Sequence, residues 1–383
     1  MLKQLVRFSM VMAFILATGG CGTTSRMADK PLGLERIQPI PSTQPAGEQQ
    51  WYDAAQLDIE GRGWCDTPTV YDRLPARAEK IVRPPVWGLA RNSAGLYVRF
   101  VTDAKCISAR WTVTSSSLAM PHMPATGMSG LDLYIRLDGK WHWIANGRPK
   151  AASSESKLAD NLPEGQHEYV LYLPLYNGTK SLHIGVNPGA AVLKPAANPK
   201  KPVVVYGTSI DQGGCASRPG MAWTAIMGRR LERPVINLGF SGNGQMEPEM
   251  VDLLAELDPA VYVLNSLHNM QVEWVAERVE PCVLKLRKAH PTTPIILVEA
   301  TPCEAGRVLP RAREGLDKKN KDLRMVYERL VSQGVRNLHY VPDDRLLGTD
   351  GEATVDGVHA TDLGFLRMAD ALEPVLRQAI KGR

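Results

Sequence analysis

The sequence predicts an α/β domain built on a five-stranded parallel sheet flanked by helices, preceded by an all-β, jelly-roll-like sandwich. Two periodicities and the break between them carry this expectation. From about Trp51 to Val192 the apolar residues alternate with period two. Beyond Pro202, short, continuously apolar, β-branched runs alternate with amphipathic helical patterns. Between them Pro188–Pro202 (PGAAVLKPAANPKKP) has no period and reads as a connection. A length of 383 residues suits two domains with a short terminal appendage.

The first region yields strands at 95–101, 107–113, 131–137, 140–145, 168–175 and 182–186. Asp138-Gly139 joins two alternating runs, and a type I′ turn needs the positive φ that Asp and Gly accept at little cost. The second region reads as strand 202–207, helix 220–231, strand 234–240, helix 248–257, strand 260–266 and helix 271–290, then strand 294–300, helix 318–334, a short strand 338–341 and a last helix 361–380. Such open sheets carry their chemistry outside the carboxyl ends of the strands.

Hydrophobic content of 44% with 22% charged residues excludes disordered, collagenous and polytopic membrane chains. The 45 basic and 40 acidic residues leave a net charge of +5 with no massed basic segment, so no nucleic-acid partner is implied. Lys3 and Arg7 precede an apolar run, Phe8–Ala17, too short for a membrane span and suited to a signal peptide. The run ends in Thr18-Gly19-Gly20-Cys21, which resembles a bacterial lipobox with Cys21 as the lipid attachment site, although Thr18 departs from the usual leucine. The resemblance implies a lipid-anchored protein of the cell envelope, and Gly22 in second place implies the outer membrane. The expected organisation is a leader at 1–20, a flexible tether at 21–50, the sandwich at 51–192, a linker at 193–201 and the α/β domain at 202–383.

Cys65, Cys106, Cys215, Cys282 and Cys303 are an odd set in a compartment that permits disulfides. Pairing Cys65 with Cys106 and Cys282 with Cys303 fits the domain split, but spacing does not fix connectivity, and all five equally fit free thiols.

The polar residues gather where strands end. Ser209, in Gly207-Thr208-Ser209-Ile210, stands at a strand-to-helix turn, where nearby N–H groups converge. Asn237-Leu238-Gly239-Phe240-Ser241-Gly242-Asn243-Gly244 offers glycines that let backbone N–H groups approach an anion. Asn265-Ser266-Leu267-His268-Asn269 brings two asparagines to the same edge. Asp356-Gly357-Val358-His359 spaces a carboxylate to reach the Nδ1 side of an imidazole and leave Nε2 free. In this order the four blocks resemble the SGNH (GDSL-type) hydrolases, which implies a flavodoxin-like fold, Ser209 as nucleophile, Asp356 and His359 as its partners, and an oxyanion hole from Ser209, Gly242 and Asn269. GTSI stands in place of GDS(L) and LHNM in place of Gly-x-Asn-Asp, which leaves Asn265 open as the alternative donor. Gly130-Leu131-Asp132-Leu133-Tyr134 resembles the GxDLY string of a sandwich found ahead of one such subgroup.

That subgroup implies ester chemistry on an acetylated poly- or oligosaccharide by way of an acyl-serine. An acyltransferase using the same intermediate and an inactive carbohydrate-binding lipoprotein are the alternatives. No cofactor is implied, and the eight histidines include no zinc-site motif. His122 in the loop AMPHMPATG, Asp132 and Glu299 are the candidate substrate-side residues. Trp141 and Trp143 fit either a sugar-stacking face or the sandwich core.

Overall fold

The alternating pattern of the first half builds two antiparallel sheets packed face to face. A computed structural model describes residues 33–41 and 49–381; the leader, Cys21 and the rest of the expected tether lie outside the described residues. The strands are β1 (Glu35–Arg36), β2 (Gln50–Asp53), β3 (Ile59–Glu60), β4 (Tyr97–Thr102), β5 (Ile107–Val113), β6 (Leu131–Leu137), β7 (Lys140–Gly147), β8 (Ser153–Ala159), β9 (His167–Tyr172), β10 (Thr179–Val186) and β11 (Val192–Lys194). One sheet runs β1-β11-β4-β9-β6-β7, with β3 also on β4, and the other runs β2-β10-β5-β8. Val98, Phe100, Leu133, Ile135 and Leu171 of the first meet Ile107, Ala109, Trp111, Leu182 and Ile184 of the second in one core. The β6–β7 turn has the positive φ expected of it, 50° at Asp138 and 75° at Gly139.

Two edges of the sandwich differ from expectation. Residues 33–41 fall within the expected tether, yet β1 pairs with β11 and Ile37 is buried in the sandwich core, because an apolar side chain finds a sheet to lie on. Leu193 and Lys194, expected in the linker, belong to β11, which pairs with β4.

The second half forms β12 (Val203–Gly207), β13 (Val235–Gly239), β14 (Val261–Asn265), β15 (Ile295–Val298) and β16 (Leu338–Val341) in one parallel sheet of order β13-β12-β14-β15-β16. Helices α1 (Pro84–Ala90) and α2 (Ala125–Met128) come from the first half of the chain. They are followed by α3 (Ser209–Gln212), α4 (Trp223–Leu231), α5 (Pro248–Ala255), α6 (Val272–Ala289), α7 (Glu314–Ser332) and α8 (Asp362–Ile380). Side chains of β12 alternate between two covered faces. Val204 and Tyr206 meet α5, α6 and α7, whereas Val203 and Val205 meet α4 and α8. Among the described residues no helix is long and apolar enough to cross a membrane.

The segment 64–90, which has no clear period, packs on the first of these faces. Trp64, Leu74, Val82 and Val86 share a core with Tyr206, Leu238 and Phe240. Each large apolar side chain fully buried there contributes about 1.5–3 kcal/mol. Arg73 closes the seam: it is 1% exposed, its guanidinium donates to the carbonyls of Leu89, Asn92, Asn237 and Gly239, and it lies 4.8 Å from the Phe240 ring centre. From Gly33 onward the chain is accordingly one compact unit.

Register sets the site. Gly207 is level with Gly239 on β13 and with Asn265 on β14, so three polar blocks leave the sheet side by side.

Candidate active site

The loop before α8 folds around Asp356. Its Oδ1 accepts from Val358 N–H at 3.1 Å and His359 N–H at 2.8 Å, a local turn that three-residue spacing permits. Its Oδ2 lies 2.7 Å from His359 Nδ1. The carboxylate only accepts, so Nδ1 carries the proton and Nε2 is left as an acceptor. His359 Nε2 lies 2.9 Å from Ser209 Oγ. Burial works to raise the Asp356 pKa, but the His359 N–H, its imidazole and the Val358 N–H outweigh it and hold the carboxyl at about 2. Two contacts hold this loop against the serine: Cys215 N–H donates to Ala360 O at 3.0 Å, and Ser217 N–H to Asp362 Oδ1 at 2.9 Å.

Ser209 opens α3, which Thr208 caps from Ile210 N–H, and it is 6% exposed. Beneath the turn lies Asp211, which the sequence reading missed. It is fully buried and accepts from Thr208 N–H at 2.8 Å, Asn265 Nδ2 at 3.0 Å and Trp223 Nε1 at 3.2 Å. Burial raises its pKa to about 6 against those hydrogen bonds. The Thr-x-x-Asp spacing of a capping box was its signal in the sequence. Gly207 makes room for this carboxylate, since a Cβ there would come within 2.0 Å of Asp211 Oδ2.

Among the described residues, the N–H groups of Ser209 and Gly242 have no acceptor. Gly242 stands at φ 69°, a conformation that suits glycine, while the neighbouring Ser241 N–H is held by Gln212 Oε1 at 3.0 Å. Asn269 Oδ1 accepts from Gly244 N–H at 3.2 Å, which leaves its Nδ2 hydrogens free. Asn265 is 2% exposed and spends its Nδ2 on Asp211. The free amide donor of this block is therefore Asn269.

The sandwich reaches into the same crevice. His122 is exposed, and its ring centre lies 5.6 Å from that of His359. Tyr176 OH donates to Ser209 O at 3.0 Å, Leu175 O accepts from Gln212 Nε2 at 3.1 Å, and Thr126 Oγ1 donates to Ser217 O at 2.6 Å. Tyr176 and Gln212, both bearing on the serine turn, had no motif to mark them. Among the described residues the group able to hold a metal ion is His122, Asp356 and His359, with ligand atoms within 4.8 Å of one another. Both nitrogens of His359 are already engaged by Asp356 and Ser209.

Two expected substrate-side residues are instead buried fasteners. Asp132 is 0% exposed and accepts from Arg218 Nη1 at 2.7 Å, Gly220 N–H at 2.8 Å and Trp143 Nε1 at 2.7 Å, so the GxDLY aspartate clamps the sandwich to the loop after α3. We expect Asp132→Ala to cost about 3–5 kcal/mol, because it strands the Arg218 charge; a melting temperature close to wild type would refute the clamp. Glu299 is 1% exposed and accepts from Arg324 Nη2 and Asp343 N–H, each at 2.8 Å, and from Tyr340 OH, tying β15 to the loop after β16. Each indole has an arginine against its ring: Arg218 lies 4.9 Å from the Trp143 ring centre and Arg136 5.6 Å from that of Trp141, although Trp143 stays 49% exposed. The five cysteines after Cys21 are free thiols. Cys282 is on the buried face of α6 while Cys303 lies beside Gly357, so that pair does not meet.

Comparison with known proteins agrees with this arrangement. The GDSL-like lipase/acylhydrolase family model matches residues 200–377, and that for the N-terminus of SGNH-hydrolase-type esterases matches residues 49–192. A protein from Bacteroides ovatus described as a GDSL-like lipase is 37% identical, with TM-score 0.83 over 87% of this chain and 98% of its own. A salicylyl-acyltransferase from a tetracycline biosynthetic pathway shares the fold at 21% identity and TM-score 0.65, over 81% of this chain and 89% of its own. A family two carbohydrate esterase from Clostridium thermocellum, solved with cellohexaose, does so at 16% identity and TM-score 0.54, over 75% and 93%. No curated protein matches the chain. The chain belongs to the GDSL-like lipase/acylhydrolase family and carries the N-terminal domain of SGNH-hydrolase-type esterases ahead of the hydrolase domain.

Proposed function

We propose that the protein is a serine esterase that removes short acyl groups, acetyl above all, from a carbohydrate. The observation that carries this reading is the unbroken chain from Asp356 Oδ2 through the His359 imidazole to Ser209 Oγ, with links of 2.7 Å and 2.9 Å. Ser209 Oγ attacks the ester carbonyl as His359 Nε2 takes its proton, and the imidazolium stays paired with Asp356. His359 then gives the proton to the leaving alcohol, and an acyl-serine remains. A water deprotonated by His359 attacks the acyl carbon, and the acid leaves as Ser209 recovers its proton. His359 is 26% and Asp356 40% exposed at the side chain, which supports water over a second alcohol as the acceptor.

Negative charge on the carbonyl oxygen meets the free N–H groups of Ser209 and Gly242 and the Asn269 amide. Asn269→Ala is expected to lower kcat by about 10- to 1000-fold with little change in KM, whereas Asn265→Ala, which uncovers Asp211, is expected to lower the melting temperature. Equal kcat in wild type and Asn269→Ala would remove Asn269 from the oxyanion hole.

The carbohydrate part of the reading draws support from the polar crevice loops and from the cellohexaose bound by a protein of the same fold. Acetate release from a panel of acetylated glycans, beside an aryl acetate and with and without an added alcohol, tests it. Release from a glycan supports the reading, transfer to the alcohol in preference to water favours the acyltransferase, and silence on every ester overturns both.

A further inference from the structure

The loop that carries Asp356 and His359 is held at its end by Cys215 and Ser217. Its beginning rests on a residue outside the triad. Glu304 opens a short 3₁₀ turn, Glu304–Arg307, that follows β15, and it is half-buried. Its Oε1 accepts from Ala353 N–H at 2.9 Å, and its Oε2 accepts from Thr354 N–H at 3.1 Å and from the Thr354 hydroxyl. Thr354 Oγ1 in turn accepts from Gly357 N–H at 3.0 Å, and Gly357 O accepts from Glu304 N–H at 3.0 Å. One residue thus grips the loop on both sides of Asp356. Arg307, at the other end of the same turn, donates to Gly348 O at 2.8 Å and to Thr349 O.

The two links of the triad depend on this grip unequally. Asp356 and His359 are three residues apart, and their bonds close within one turn of chain. Ser209 and His359 are 150 residues apart, and their 2.9 Å link exists only when the whole loop is set down in register with the serine. A reacting pair misplaced by about 1 Å loses about 100-fold in rate. A carboxylate suits the task of placing the loop, since it accepts from two N–H groups and a hydroxyl at once, whereas an amide brings a single acceptor oxygen.

Resting on the esterase reading above, we propose that Glu304 is a positioning residue of the reaction. It sets the His359 imidazole against Ser209 without touching the substrate. Its loss slows proton transfer and leaves both the Asp356–His359 pair and substrate binding as they are.

Glu304→Ala and Glu304→Gln are to be compared with wild type on an aryl acetate, at a temperature where thermal melts show each variant folded. Glu304→Ala is expected to lower kcat by about 100-fold with KM unchanged to within about twofold. The midpoint of the acid limb of kcat/KM is expected to stay in place, because that limb follows a His359 still paired with Asp356. Glu304→Gln keeps one acceptor oxygen and is expected to lose about tenfold in kcat, and it decides the question if the alanine variant does not fold. Wild-type kcat in the folded variants, a loss confined to KM, or a displaced acid limb would overturn the inference. Phosphonylation of Ser209 by a fluorophosphonate, which also needs the imidazole, is expected to slow by the same factors. If wild type reacts with that probe yet hydrolyses no ester, the esterase reading falls, and equal phosphonylation rates in wild type and variants would overturn the role of Glu304 separately.

Discussion

Ser209→Ala is expected to abolish ester hydrolysis, lowering kcat by about 10⁶-fold, while the protein folds as before. The loss is large because Oγ is the atom that would bond covalently to the acyl carbon, and it lies 2.9 Å from the imidazole nitrogen that takes its proton. Alanine keeps the α3 turn, since Thr208 provides the cap and Asp211 the support beneath it. One lost side-chain hydrogen bond costs only about 1 kcal/mol. The oxyanion donors remain, so a residual rate about 10³-fold above water is compatible with the assignment. Aryl acetate turnover, an acyl adduct at Ser209 seen by mass spectrometry in wild type alone, and matching thermal melts check it. A variant with a tenth or more of wild-type turnover would sink the nucleophile assignment.

Much of this site was legible because it is set by short-range rules. A strand that ends at a glycine, a serine one step into a helix, and a carboxylate three residues before an imidazole each fix their geometry within a single turn, as Asp356 Oδ1 does by holding the Val358 and His359 N–H groups. The sheet was legible for the same reason, its strands being continuously apolar runs buried on both faces. What was not legible depends on contacts between distant segments. Asp132 and Glu299 sit where a substrate residue would sit in sequence, yet both turn inward to partners about 86 and 25–44 residues away, Arg218 for the first and Arg324 and Asp343 for the second. The strand β8 has no apolar alternation, because as a sheet edge it is held by backbone pairing to β5 and by Arg110 with Glu155 rather than by burial. The segment 64–90 gave no period because it follows the surface of the hydrolase domain instead of forming a layer of its own.

Those inward contacts also explain why one site draws on both halves of the chain. Arg73 holds the carbonyls of Asn237 and Gly239 just before the Gly242 turn, Gln212 holds Ser241, and Tyr176 holds the Ser209 carbonyl. Arg73 and Tyr176 of the first half, with Gln212 of α3, thereby brace the Gly242 and Ser209 turns, while Asp132 fixes the loop that follows α3. Preorganised donors are worth more than mobile ones because they need not reorient as charge develops.

Asp356→Asn is the sharper test of how the imidazole is held, and kcat/KM is expected to fall by about 10³-fold or more. The amide oxygen can still accept from the Val358 and His359 N–H groups, so the loop keeps its shape. Its NH₂ group then faces His359 Nδ1 and donates, which puts the imidazole proton on Nε2, pointing at Ser209 Oγ with no lone pair to receive the serine proton. Solvent reaches the wild-type carboxylate, 40% exposed, and this moderates the loss relative to a sealed triad. Stability follows the depressed pKa with a definite sign. A carboxyl held at about 2 when folded and near 3.9 when unfolded stabilises the fold above about pH 4 and loses that contribution as pH falls towards 2. Wild type is therefore expected to melt above Asp356→Asn at neutral pH, with the gap closing below about pH 4. A gap that widened in acid, or a variant with wild-type kcat/KM, would show that Asp356 neither holds the tautomer nor carries the charge opposite the imidazolium.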